Sequence, residues 1–214
     1  RVVEPGERDR LMAAAKVFAL ASYSENFGNT VLEAMAQGCP VLVTPEVGAA
    51  EVVRESGGGR VVVPAGTFVT GPIRLKSRVN FHVEKGAVVR FLPDPALYLP
   101  PVLTRWEGME LMGYSPLVYA LDEESIAVTG EGTLDGGADE QHWWPWKGKG
   151  PESQKPDRDR LFRMAEEGMP VESRVFGEGN RLRPPFVEPY RCRNVLIEGV
   201  TITNAPFWVI HPAL

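Results

Sequence analysis

The stretch NVLIEGVTIT, Asn194 to Thr203, decides the fold. Apolar residues fall two apart at Val195 and Ile197, Gly199 follows, and a second apolar strand closes the line. The same frame stands earlier in SIAVTGEGTL from Ser125 and in NFHVEKGAVV from Asn80. Alternation with a period of two puts every second side chain on one face of an extended strand. One such line cannot bury its apolar face alone, whereas stacked copies bury it jointly. The frame therefore predicts a solenoid of β coils in which Phe81, Val83, Ile126, Val128, Val195 and Ile197 point inward. The copies are unevenly spaced. Segments at about 93–118 and 137–185 read as loops leaving the coil, because insertions in solenoids collect on one face.

Working towards the N-terminus, the vocabulary changes at Gly57-Gly58-Gly59-Arg60. After this seam come short β-branched runs broken by Gly, Asn and Asp, with no helical pattern for a long stretch. Before it, helix-like and strand-like segments alternate. Glu7 to Lys16 reads as a helix with Leu11, Met12, Ala15 and the following Val17 as its apolar stripe. VFALAS, Val17 to Ser22, is a continuous apolar run of the buried parallel-strand type. Asn29 or Thr30 caps a helix through Met35 and Ala36, Gly38 ends it, and PVLVT is the next strand. Ala49 to Glu55 makes a further short helix. This order is a piece of an open α/β sheet, whose ligands sit beyond the carboxyl ends of the strands. The expectation is a mainly β chain: a short α/β fragment over 1–56, then a solenoid of stacked β coils over 57–214.

Composition narrows the function classes. A net charge of -5 gives no basic face for phosphate binding and argues against nucleic acid. No run of eighteen apolar residues is present, so no membrane-spanning helix is expected. Twenty-two glycines and nineteen prolines favour many turns over long helices. Cys39 and Cys192 each adjoin an apolar strand-like run and read as buried thiols. His82, His142 and His211 stand apart from the cysteines and from one another, so no metal site and no cofactor is expected.

The N-terminal word SENFGNTVLEAMAQGCPVLVT, followed by PEVGAAEVV, resembles the nucleotide-sugar-binding segment of family 4 glycosyltransferases. That family carries two Glu residues at the spacing of Glu25 and Glu33, the first on the donor sugar and the second on the ribose. The resemblance implies Glu25, Gly28, Asn29 and Glu33 as nucleotide-sugar contacts, with the Phe27-Gly28-Asn29 turn offering backbone N–H groups to phosphate. Read without the family, Glu25 and Glu33 are solvated carboxylates near a helix start, favoured there by the dipole.

The longer C-terminal part resembles glycoside hydrolase family 28, the polygalacturonase-like pectin hydrolases. The matching words are GGGRVVVPAGTFVTGPIRLKS, DPALYLPPVLTRWEG, VTGEGTLDGGADEQHWWPWKG and RPPFVEPYRCRNVLIEGVTITNAPFWVIHP. The two resemblances together imply an incomplete right-handed parallel β-helix preceded by a short Rossmann-like α/β fragment, and the second implies inverting hydrolysis by Asp carboxylates held far enough apart to admit a water. The family's catalytic words, an Asn-Thr-Asp-like turn, an Asp-Asp pair, a Gly-His turn and an Arg-x-Lys run, do not occur here. No catalytic residue is therefore assigned, and an inactive hydrolase-type fragment is expected.

Several residues keep two readings. Asp135 and Asp139 in TLDGGADE are either a substitute carboxylate pair or Asx turns. Trp143, Trp144 and Trp146 either stack on sugar rings or anchor their loop on the coil. Lys147, Lys149, Arg181, Arg183, Arg191 and Arg193 either meet galacturonate carboxylates or are solvated surface charges. The expected partner is an acidic polysaccharide of the galacturonan type, with self-association through the open end of the coil. The alternatives are a non-catalytic binding or structural chimera and a nucleotide-sugar-binding remnant.

Overall fold

The computed structural model describes residues 5–15, 17–20, 29–36, 39, 41–43, 47, 49 and 59–214. Contacts divide the chain into two compact units, Arg1–Arg60 and Val61–Leu214. In the first, helix α1 (Pro5–Ala14), strand β1 (Phe18–Leu20), helix α2 (Asn29–Ala36) and strand β2 (Val41–Val43) follow in the order expected. β1 and β2 pair in parallel with Phe18 opposite Val41, as a strand–helix–strand crossover requires. Met12, Ala34 and Cys39 form one small buried cluster, and Val31, Val47 and Ala49 another. The α1 stripe is narrower than its sequence implies, because Leu11 is 58% exposed while Met12 turns inward. The helix expected over Ala49 to Glu55 falls mostly outside the described residues.

The second unit is a right-handed parallel β-helix. Three sheets run along it, each built from strands of successive coils. One holds β5 (Ile73–Arg74), β10 (Val118–Leu121) and β14 (Val187–Tyr190). The second holds β3 (Gly59–Val63), β6 (Val79–Val83), β11 (Glu124–Gly130) and β15 (Arg193–Glu198). The third holds β4 (Gly66–Thr70), β7 (Ala87–Phe91), β12 (Thr133–Asp135) and β16 (Thr201–Thr203). Register sets Phe81 and Ile197 on either side of Val128, and Val195 opposite Ile126. Phe81, Val83, Ile126 and Val128 are buried in the central core, and Ile197 packs against it. Val195 shares the inward column but is 38% exposed, since among the described residues no strand lies beyond β15.

The repeated glycine of the frame is less uniform in space than in sequence. Gly130 sits opposite Val83 rather than Gly86, so the second coil takes a longer corner through Glu84, Lys85 and Gly86. Both segments read as excursions do leave the coil. The first holds a hairpin of β8 (Val102–Trp106) and β9 (Met109–Gly113), antiparallel and turning at Glu107-Gly108. The second is not simply loop: it contains helix α3 (Lys155–Glu166) and strand β13 (Val175–Phe176), which pairs with β9. Trp106, Leu111, Leu161, Phe176 and Leu182 give the two excursions a shared core of their own. The sequence hides α3 because Lys, Asp and Arg dominate it and Leu161 alone is buried.

Candidate carbohydrate-binding site

Strand β12 delivers Asp135 to a corner of the coil, and its carboxylate is fully engaged there. Asn204 Nδ2 donates to Oδ1 at 2.8 Å, the Gly137 amide donates to the same oxygen at 3.1 Å, and Arg90 Nε donates to Oδ2 at 3.2 Å. Burial pushes the Asp135 carboxyl up, but these donors outweigh it and hold the group below the usual carboxylate range. A carboxylate held ionised and saturated with donors cannot serve as a general acid. Asp139 is open to solvent and closes a turn instead: Oδ1 accepts from the amides of Gln141 and His142, each at 2.8 Å. The backbone bond from Gln141 leads, with His142, in lowering the Asp139 carboxyl. Both aspartates therefore hold Asx-type turns.

The tryptophans part company. Trp143 is 2% exposed, edge-on to Tyr98 at 5.5 Å and to Trp146 at 5.0 Å. Its sugar-stacking reading is corrected: no ring face is left open, and the side chain anchors the loop in the core. Trp144 keeps 41% exposure, and its indole Nε1 donates to Ala205 O at 3.0 Å, which fixes the ring while leaving it accessible. Trp146 is half-buried at 6.0 Å from Tyr114, and the pair lines an open groove with Leu99, Glu152, Glu178 and Arg181. Trp144 and Trp146 thus keep the accessible ring surface of the cluster.

Among the cations, Arg191 is held by Asp122 through Nε at 2.8 Å and Nη2 at 2.9 Å. Arg183 is buried rather than solvated. Sequence reading missed Glu188, which is 0% exposed on the outer side of β14. It accepts from Thr104 Oγ1 at 2.5 Å and lies 3.0 Å from His211 Nδ1, linking the β8–β9 hairpin to the segment beyond β16. The available signal was a lone acid between apolar residues in FVEPY.

In the first unit, Glu33 on α2 pairs with Arg8 on α1 at 3.2 Å, and Asn29 begins α2 with its side chain exposed. Glu25 and Gly28 lie outside the described residues.

Comparisons with known proteins bear on both units. Residues 3–67 match the family model described as "Glycosyl transferases group 1", which reaches into β4. The chain is similar to the hyperthermoactive exopolygalacturonase from Thermotoga maritima, at 57% identity and a TM-score of 0.72 over 76% of this chain and 38% of that one. It is also similar to a probable polygalacturonase from Vitis vinifera, 24% identical over 161 residues, 73% of this chain and 27% of the relative. The chain therefore spans well under half the length of these relatives.

Proposed function

We propose that the β-helical unit binds galacturonan as a glycoside hydrolase family 28-type segment and, in these 214 residues, does not hydrolyse it. The domain reading behind this is an α/β fragment over 1–56 and hydrolase-type coils over 57–214. The observation that carries it is the 57% identity and TM-score of 0.72 to an exopolygalacturonase. Trp144 and Trp146 supply the sugar contact, and Asp135 and Asp139 brace the corner from which the loop leaves. Hydrolysis needs a positioned acid and base, and both of these aspartates are committed to turns. The purified chain is expected to release no reducing ends from polygalacturonate above buffer and to transfer no sugar from nucleotide donors. It is expected to retain oligogalacturonate on a titration followed by tryptophan fluorescence, with Trp144→Ala weakening that binding. Turnover lost in Asp135→Asn or Asp139→Asn would place catalysis in the TLDGGADE loop instead. Absence of any binding would remove the reading altogether.

We also infer self-association through the last coil. Leu196, Val209, Ile210 and Leu214 are exposed there, and β15 and β16 end their sheets among the described residues. Glu33, held by Arg8, gives the nucleotide-sugar-binding reading of the first unit weaker support than the aromatic loop gives the galacturonan reading.

A further inference from the structure

The two excursions line a groove of about 290 Å³ whose charge is the wrong sign for a polyanion. Asp94 comes from the first excursion, Glu152 and Glu178 from the second, and Arg181 is the one cation of the lining. Three carboxylates against one guanidinium leave the groove negative. Among the described residues none of these carboxylates is in an ion pair, and only Asp94 has a side-chain hydrogen bond, accepted from the Ala96 amide at 3.0 Å. A hard metal ion would need several such oxygens on one centre. Among the described residues no three acidic, His or Cys side chains come close enough to supply them.

An independent observation comes from Tyr114, which also lines the groove. Only 4% of it is exposed, yet among the described residues its hydroxyl has no hydrogen-bond partner. That oxygen is not sealed in the core as the unpartnered Trp143 Nε1 is, so the exposed sliver of Tyr114 is its hydroxyl, open to the groove. Burial pushes the hydroxyl up, with Asp157 and Glu178 adding to the effect and Arg181 opposing it, so it stays protonated and accepts as well as donates. Trp146 stands 6.0 Å from Tyr114 at a tilt of 42°, supported edge-on by Trp143 at 5.0 Å. Its backbone is pinned as well, since the Gln154 amide donates to Trp146 O at 2.6 Å. A fixed indole beside carboxylates is an arrangement that attracts an ammonium group.

We propose that this groove binds a small ligand through a primary ammonium group. Glu178 takes the charge, Tyr114 Oη accepts one N–H, and Trp146 packs on the carbon that carries the nitrogen. A primary ammonium has three donors and no acceptor, which suits a lining of carboxylates and one open hydroxyl. A quaternary ammonium would leave Tyr114 unpartnered, and an acidic ligand would meet like charge. The inference goes beyond the galacturonan reading and does not rest on it. Trp146 is the residue the two share, and Trp144 does not line the groove.

The whole chain is titrated calorimetrically with the glucosamine dimer, with its N-acetylated form and with 1,4-diaminobutane, at mildly acidic pH where the sugar amines are charged. An amine is expected to bind, and the acetylated dimer, which keeps the sugar but loses the charge, is not. Binding of the dimer alone puts the ammonium on a sugar ring, and binding of the diamine puts it on an alkyl chain. Either result supports the site. Glu178→Gln is expected to weaken the bound amine about tenfold, Trp146→Ala about fivefold and Tyr114→Phe about threefold. Glu178 is exposed, so its substitution leaves the core intact and decides the matter should Trp146→Ala fold poorly. Failure of both amines to bind, equal binding of the acetylated dimer, or an amine affinity unmoved by Glu178→Gln overturns this site and leaves the galacturonan reading standing. Loss of oligogalacturonate binding with amine binding retained removes the galacturonan reading and supports this site.

Discussion

Gly130 has no room for a β-carbon. One built there would lie 2.0 Å from Val83 O, and φ is +114°, where side chains are strained. Gly199 repeats the crowding one coil on, 2.5 Å from Gly130 O at φ +81°. Gly130→Ala is expected to cost about 2–4 kcal/mol in urea unfolding, because backbone rather than a flexible side chain blocks the new methyl. Gly59→Ala, which meets nothing within 4 Å, should be nearly neutral, and equal stabilities for the two variants would remove the steric argument. Asp135 makes a pH-dependent prediction. Its carboxyl is held below its ordinary value, so the stabilisation is fully present above about pH 4 and fades as pH falls through the depressed value. The stability gap between wild type and Asp135→Asn should therefore close progressively below pH 4 and stay flat above pH 5. A gap unchanged down to pH 2 would contradict this.

The strands were legible because their alternation meets its own repeat. Ile126 and Val128 face inward because Phe81 and Ile197 do, and each line carries the period alone. Helix α3 was not, since its inward side is short, Leu161 and Met164 three residues apart, and their burial depends on Trp106 and Phe176 of neighbouring elements. Trp143 illustrates a subtler limit. In sequence it is one of three equivalent tryptophans, and only the left-handed backbone at φ 58° turns it into the core while Trp144 faces out. Glu188 and Arg183 were hidden similarly, because burial of a charge is a property of what covers it. Leu161, 0% exposed, tests whether the two excursions form a unit of their own. Leu161→Ala is expected to cost about 2–4 kcal/mol locally. Amide exchange should then quicken in α3, β9 and β13 while β11 keeps its protection. Equal loss throughout would show that the excursions and coil unfold together.

At the scale of the molecule, the last coil presents Leu196 at 48% and Ile210 at 48% exposure beside the edges of β15 and β16. Sedimentation mass is expected to rise with concentration, and Leu196→Glu with Ile210→Glu to return the chain to a monomer. A monomer at every concentration would contradict it. The coil also has a temporal order. Equivalent side chains of the second and third coils are 47 residues apart, as for His82 and Thr129, and those of the third and fourth are 69 apart, as for Ser125 and Asn194. By loop-closure scaling, the longer interval adds only about 0.3 kcal/mol of chain entropy. On a ribosome, however, it means that β11 emerges with one neighbour made and must wait for the whole second excursion before β15 arrives. During that pause the apolar ends of Ile126 and Val128 have nothing above them, so a chaperone that shields nascent chains would find its foothold there, before any mature surface exists.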